Sequence, residues 1–465
     1  MLPSVLVSIL YGEADATEAF IRTIAPMLVV GAIITFAVKA DFHHLRIRDG
    51  YVIVALCWTL ASVLGSIPFI VSGCIPNFSD AFFETVSGFT TTGSSVLTDI
   101  ESLPKGLIFW RSFTHWIGGM GIIVFAIALL PALGISGQRI AQAETTGPTF
   151  GKLTPKMTDS AKILYSIYLS MTVLEVALLM LGGMSLFDAL INTFGSVGTG
   201  GFSNYNASIM HYNNLYYELV IGVFMLLAGV NFTLYYHVLR GHWRDFFSDS
   251  ELKFYLIIFG TAVLLIALNL WISGNYESPG RSLRYSFFQS ASVMTTTGFA
   301  SADFDLWPSF SKMVLFILMF IGGCSSSTSG GIKAVRVLLL FKLMKRGIAV
   351  RLHPRAVVSI KLGGKPVPAD TLSAVANFVF LYVGIFFVGT LLLSLENFDL
   401  ITTSSAVASC LGNIGPGFNL VGPVMNFSLF SDASTLMLAM IMLIGRLELF
   451  TIILLFTRQF WNPDR

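Results

Sequence analysis

The chain has 465 residues, 54% of them hydrophobic and 12% charged, with a mean hydropathy of +0.76. That balance excludes a soluble multidomain protein and places the chain among polytopic membrane proteins. A net charge of +2 gives no electrostatic footprint for nucleic acid, and Cys57, Cys74, Cys324 and Cys410 have neither metal-ligand nor redox spacing.

Met1 to Tyr11 is apolar but too short for a hydrocarbon layer of about 30 Å, and it lacks the charged region and cleavage site of a signal peptide. It reads as the second half of a spanning helix. Runs able to span the bilayer fall near 22–38, 51–72, 107–133, 160–183, 215–239, 253–273, 310–343, 371–395 and 432–457. After the first, these pair up. Between the members of each pair lies a shorter stretch rich in Gly, Ser and Thr: Asp80 to Ser95, Asp188 to Ser203, Tyr285 to Ala300 and Leu400 to Asn419. Two of them carry nearly the same phrase, Thr-Thr-Thr-Gly-Ser at 90–94 and Thr-Thr-Thr-Gly-Phe at 295–299.

The pattern predicts an all-α polytopic membrane protein in which a helix, a re-entrant pore loop and a second helix occur four times around one central ion pore. The expected parts are an N-terminal helical segment at 1–50 and pore repeats at 51–133, 160–240, 253–345 and 370–457, the third with a broken second helix. Lys39, Arg46 and Arg48, and the run Lys333, Arg336, Lys342, Lys345, Arg346, Arg351, Arg355, Lys361 and Lys365, mark the cytoplasmic side. The four loops therefore enter from outside.

Irregular backbone at membrane depth is tolerated where protein buries it or where it lines a water-filled path. Four such stretches are best explained by one shared path. Backbone carbonyls replace a cation's hydration shell without the tight grip of carboxylates, and glycine lets successive carbonyls turn inward. Threonine hydroxyls add hydrogen bonds or oxygen ligands. The candidate glycines are Gly93, Gly201, Gly298 and Gly415, with Gly417 a rival register in the fourth loop. The residues before each loop read as short pore helices with their partially negative ends toward the ion. No acidic ring stands in these phrases, which fits a large monovalent cation.

The run 310–343 exceeds one straight crossing and is interrupted from Gly322 to Gly331, so two half-helices joined by a loop are expected. The loop lacks a P-loop ending, and its serines have no His or Asp nearby for hydrolase chemistry. Arg446 lies mid-span, at a cost of roughly 3 kcal/mol or more unless it meets water or a partner. Glu448, two residues on, does not share its helix face, so Arg446 is expected to face the pore. Asp80, Glu84 and Asp188 read as pore-helix caps, and Asn231 and Glu175 as interhelical hydrogen-bonding groups. Arg111 and His115 read as interfacial anchors or partners of a pore-helix carboxylate.

Further phrases run from end to end: Trp116-Ile117-Gly118-Gly119-Met120-Gly121-Ile122, Gly200-Gly201-Phe202-Ser203, Gly322 to Gly331, His353-Pro354-Arg355-Ala356, Asn413-Ile414-Gly415-Pro416-Gly417 and Gly445-Arg446-Leu447-Glu448-Leu449-Phe450. With Asp80 to Gly93, they give a chain that resembles the Trk/Ktr/HKT superfamily of potassium transporters, in its bacterial TrkH/TrkG branch. The branch has a fuller first helix than Met1 to Tyr11 supplies. The resemblance implies a filter formed by Thr91, Thr92 and Gly93, by Thr199, Gly200 and Gly201, by Thr296, Thr297 and Gly298, and by Asn413, Ile414 and Gly415. It implies potassium held at Thr92, Gly93, Gly201, Thr297, Gly298 and Gly415. A gate loop beneath the filter would comprise Gly322, Gly323, Ser325, Ser326, Ser327, Gly330 and Gly331, with Arg446 as an electrostatic barrier in the pore. Glycine at all four positions implies preference for potassium over sodium, and rubidium should pass too. The resemblance further implies the bacterial inner membrane, a homodimer, and a cytoplasmic TrkA-type nucleotide-binding regulatory subunit on the basic inner face. Two rivals stay open: a symporter coupling potassium to protons or sodium, and a membrane-embedded enzyme using Ser325 to Ser329.

Overall fold

The computed structural model describes residues 1–37, 47–121 and 157–462. The parts of the expected elements at 38–46 and 122–156 lie outside the described residues, as do Lys39, Arg46 and the side chain of Arg48.

Among the described residues five helices are long and apolar enough to cross a membrane: Ala14–Ala37, Asp49–Val71, Asp159–Leu181, Ser250–Ile272 and Ala369–Glu396. At most 44% of each apolar window is buried inside the protein, so wide faces of Leu, Ile, Val and Phe are left for lipid. The last four each open one repeat and are followed by a short helix: Phe78–Phe89, Leu186–Val197, Pro279–Met294 and Leu400–Gly412. These short helices have 12 to 16 residues, too few at about 1.5 Å per residue to cross a core of about 30 Å.

All four short helices start on a small polar cap. Asn77, Ser185, Ser278 and Asp399 accept hydrogen bonds from the amides of Ser79, Asp188, Arg281 and Thr402, satisfying donors that a helix start leaves free. This corrects the capping role expected for Asp80, Glu84 and Asp188. Glu84 pairs with Arg111, Asp188 accepts from Asn204 at 2.6 Å, and the first short helix is capped by Asn77 rather than Asp80.

Packing closes the repeats into a ring. Each short helix packs on the long helix before it and also on the second helix of the preceding repeat. Lys105–Gly119 lies against the second short helix, Leu215–Ala228 against the third and Ser309–Phe320 against the fourth, while Asp432–Arg446 returns to the first. Before the first repeat, Leu2–Leu10 packs on Lys105–Gly119. There Glu13 accepts from the amides of Lys105 and Gly106 at 2.5 and 2.9 Å, capping that helix from a distance.

The third repeat breaks as expected, between Ser309–Phe320 and Ala334–Leu352. Two further breaks were not expected. Leu215–Ala228 turns by 93° into Phe232–Leu239, and Asp432–Arg446 turns by 113° into Phe450–Phe456. At the first, Asn231 restarts the helix by accepting from the amide of Thr233 at 2.9 Å. It thus acts as a cap rather than as the interhelical group foreseen. At the second, Glu448 and Leu449 take φ values of 59° and 51°, which no right-handed helix accommodates.

Two members of the basic run are not on the surface. Lys333 and Arg336 are buried: Lys333 donates to the Ser329 carbonyl, and Arg336 pairs with Glu448 and lies 3.8 Å from the Phe378 ring centroid. A two-residue hairpin, Lys361–Leu362 with Lys365–Pro366, turns on Gly363 and Gly364. Both of these glycines have positive φ, as a tight hairpin turn requires.

Candidate functional site: a ring of four pore loops

After each short helix the chain takes a left-handed residue, an intermediate one, and a left-handed glycine. The left-handed pairs are Thr91 and Gly93, Thr199 and Gly201, Thr296 and Gly298, and Asn413 and Gly415. The non-glycine members have φ between 53° and 58°, a conformation costing roughly 1–2 kcal/mol. The same cost appears at the same place in all four repeats. Gly417 has no such conformation, so the shared register runs through Gly415.

The four segments interlock. A Cβ on Gly93 would collide with the Gly200 carbonyl oxygen, one on Gly201 with Thr297 O, and one on Gly298 with Ile414 O. One on Gly415 would lie 2.9 Å from Thr92 O. Each glycine thus makes room for the middle carbonyl of the next repeat, and the fourth returns to the first. All four glycines line one outer cavity with Ser94, Ser203 and Pro416.

Behind the carbonyls the hydroxyls act as braces. Thr92 and Thr297 share hydrogen bonds of 2.8 Å with Thr90 and Thr295, which donate to Val86 O and Ala291 O at 2.7 Å. In the fourth repeat Asn413 donates to Thr92 Oγ1 at 2.9 Å and to Met442 O at 3.0 Å, tying it to the first. Two buried oxygens of the left-handed residues, Thr91 Oγ1 and Asn413 Oδ1, have no protein hydrogen-bond partner among the described residues.

A buried ion pair within the first repeat reaches across to the second. Arg111 Nε lies 2.5 Å from Glu84 Oε1, Arg111 also donates to Ser203 O at 3.0 Å, and its guanidinium stacks 3.4 Å from the Phe202 ring centroid. Glu84 further accepts from the Val96 amide at 3.0 Å. His115 donates from Nδ1 to Gly88 O at 2.7 Å and lies against Phe202. Glu175 accepts from Ser196 at 2.6 Å, linking a long helix to its short one. At the outer rim, desolvation opposes the Asp399 charge, but donors from Thr402 and Asn419 outweigh it and hold the carboxyl below its usual range.

Gly322 to Gly331 forms a loop closed at its neck, where Gly322 N donates to Ile332 O at 2.8 Å and Ala334 N to Gly323 O at 3.0 Å. The loop lies beside the inner end of the ring. Gly330 N donates to Thr296 Oγ1 at 2.6 Å, and a Cβ on Gly330 would lie 3.0 Å from Asn413 Cβ. On its other flank, Cys324 N donates to Gly229 O at 2.8 Å and Phe232 N to Ser326 O at 3.0 Å, so the loop sits in the unexpected bend of the second repeat.

Arg446 reaches into the same region. It donates to Thr328 O at 2.7 Å, and to Gly118 O and Gly119 O at 2.7 and 3.2 Å. The last two are carbonyls at the negative end of Lys105–Gly119. The arginine therefore bridges the loop to the first repeat, a role that its mid-span position did not reveal. Glu251 was also missed: it accepts from Ser325 N and Oγ and from Val335 N.

Four linked helix pairs, each carrying a re-entrant loop into one closed ring of carbonyls, define a multi-pass membrane transport protein with a central cation path. Residues 16–462 match the family described as "TrkH: Cation transport protein", and the chain belongs to that family. It is 38% identical over 468 residues to the Trk system potassium uptake protein TrkH of Vibrio parahaemolyticus, covering 99% of this chain and 96% of that one. It is 37% identical to the Escherichia coli protein of the same name, covering 98% and 95%, and 38% identical to Escherichia coli TrkG, covering 99% and 95%. The crystal structure of the potassium transporter TrkH from Vibrio parahaemolyticus superposes with a TM-score of 0.88 at 37% identity, covering 99% of this chain and 96% of that one. The chain is thus a multi-pass inner-membrane transporter and not an enzyme, which removes the serine-loop hydrolase reading.

Proposed function

We propose that this chain carries potassium, and rubidium with it, into the cell through the ring formed by residues 91–93, 199–201, 296–298 and 413–415. The cyclic register of the four left-handed glycines carries this reading: each stands against the middle carbonyl of the next repeat. An extended chain alternates its carbonyls between two sides, whereas a left-handed residue at alternate positions turns them to one. Carbonyls so aligned replace the hydration shell of a monovalent cation. Potassium is held by the carbonyls around Thr92, Gly93, Gly201, Thr297, Gly298 and Gly415, with the unpartnered oxygens of Thr91 and Asn413 at the inner end.

The loop through Gly322, Gly323, Ser325, Ser326, Ser327, Gly330 and Gly331 is the gate. It is small and uncharged, and among the described residues its hold on the filter is a single hydrogen bond to Thr296. Arg446 adds a positive barrier and latches the loop at Thr328. The protein works as a homodimer, and a TrkA-type nucleotide-binding subunit docks on its basic inner face; the relatives' name as members of a Trk system supports a multi-component assembly. Rubidium uptake into proteoliposomes under a potassium diffusion potential tests the reading. Uptake should follow voltage and be indifferent to an imposed pH or sodium gradient. Uptake that tracks either gradient makes the protein a symporter, and no uptake refutes the reading.

A further inference from the structure

Glu251 is 6% exposed, and among the described residues every hydrogen bond its carboxylate accepts comes from the gate region. It lies in the first turn of Ser250–Ile272. Oε1 accepts from Ser325 N at 2.5 Å and from Val335 N at 3.2 Å, while Oε2 accepts from Ser325 Oγ at 2.6 Å. One side chain therefore fastens the first limb of the loop and the start of Ala334–Leu352 to a third element. That helix has no cap of its own, because its N-cap residue is Lys333 and makes no side-chain cap bond. A carboxylate beside a helix start is also favoured by the helix dipole.

We propose that Glu251 is the positioning residue that holds the Gly322–Gly331 loop against the inner end of the filter, an inference that rests on reading this loop as the gate. The competing holds on the same limb are single neutral backbone bonds, from Cys324 N to Gly229 O and from Phe232 N to Ser326 O. Hydrogen bonds to an ionised carboxylate are roughly twice as strong as neutral ones, and Glu251 supplies three. Arg446 grips the opposite limb at Thr328. The loop is thus pinned on two sides, by Glu251 on the first limb and by Arg446 together with Lys333, which donates to Ser329 O, on the second; loss of Glu251 frees the first limb while the neck keeps the chain in place.

Rubidium uptake by purified protein in proteoliposomes, normalised to folded protein by size-exclusion profile, tests this on Glu251→Ala, Glu251→Gln, Ser325→Ala and Arg446→Ala. Loss of a clamp raises uptake, whereas loss of a merely structural residue lowers it. Glu251→Ala is expected to raise uptake by at least about tenfold, the shift produced by losing even one weak charge-assisted hydrogen bond of the three. Glu251→Gln keeps an acceptor oxygen and should rise less, as should Ser325→Ala. Unchanged uptake in folded Glu251→Ala and Ser325→Ala, beside a rise in Arg446→Ala, overturns the clamp and leaves the gate intact. No change in any variant, Arg446→Ala included, overturns the gate reading itself. Should Glu251→Ala fail to fold, Ser325→Ala decides: a rise supports the clamp and parental uptake overturns it.

Discussion

The carbonyl oxygen of Ile414 occupies the space that a Cβ on Gly298 would need. The same holds for Gly201 against Thr297 and Gly93 against Gly200, while a Cβ on Gly415 would lie 2.9 Å from Thr92 O. Alanine at any of the four also meets a strained backbone and a carbonyl oxygen, but at 1.9–2.1 Å for the first three and at 2.9 Å for Gly415. Gly93→Ala, Gly201→Ala and Gly298→Ala should therefore each lose rubidium-over-sodium discrimination more completely than Gly415→Ala. Competition uptake across the four variants gives the ranking, and an even loss in all four would show that the clash plays no part.

Arg446 holds Thr328 O with one nitrogen and the Gly118 and Gly119 carbonyls with another. Lysine, a point charge on a flexible stem, lacks that fork. Arg446→Ala, which loses both charge and latch, should raise uptake by about tenfold or more. Arg446→Lys should keep the charge, lose much of the latch and fall between. Initial uptake rates distinguish the two contributions; equal rates in Lys and parent proteins would assign the whole effect to charge.

The Glu84–Arg111 pair is buried on both sides. Removing one member of such a pair costs about 3–5 kcal/mol, because the other charge is stranded, while replacing both by neutral groups costs far less. Arg111→Met should lower the thermal unfolding midpoint in detergent, and Glu84→Gln with Arg111→Met should recover most of the loss. A double variant as unstable as the single one would contradict this.

Asn413 fills, in the fourth repeat, the place that threonine fills in the other three, and its amide ties Thr92 to Met442. Asn413→Gly accommodates the φ of 55° but removes both bonds. It should retain rubidium uptake and weaken its discrimination against sodium, as read in the same competition assay.

Much of this architecture is legible in the sequence because re-entrant stretches leave a compositional trace. Segments rich in Gly, Ser and Thr, too short to span yet flanked by long apolar runs, have few other uses. The phrases around Gly93 and Gly298 repeat almost verbatim, and Gly322 to Gly331 announces its own break. The unexpected bends leave weaker marks. Asn231 ends one helix and caps the next, and Glu448 and Leu449 take left-handed conformations that their residue types do not advertise. The groups that hold the loop were hidden for another reason. Arg446 meets carbonyls more than three hundred residues earlier in the chain, and Glu251 looks like any acid in a first helical turn. The burial of Lys333 and Arg336 was hidden because a linear tally of basic residues does not show a chain still inside the protein when it resumes its helix.

Rubidium uptake into proteoliposomes containing parent or Gly298→Ser protein, with potassium or sodium as the competing ion, tests most directly whether the glycine ring forms the selective path. In the parent, potassium should suppress uptake and sodium should leave it nearly untouched; in folded Gly298→Ser protein the two ions should compete alike. Discrimination that survives intact in the folded variant would contradict a filter built on these four glycines.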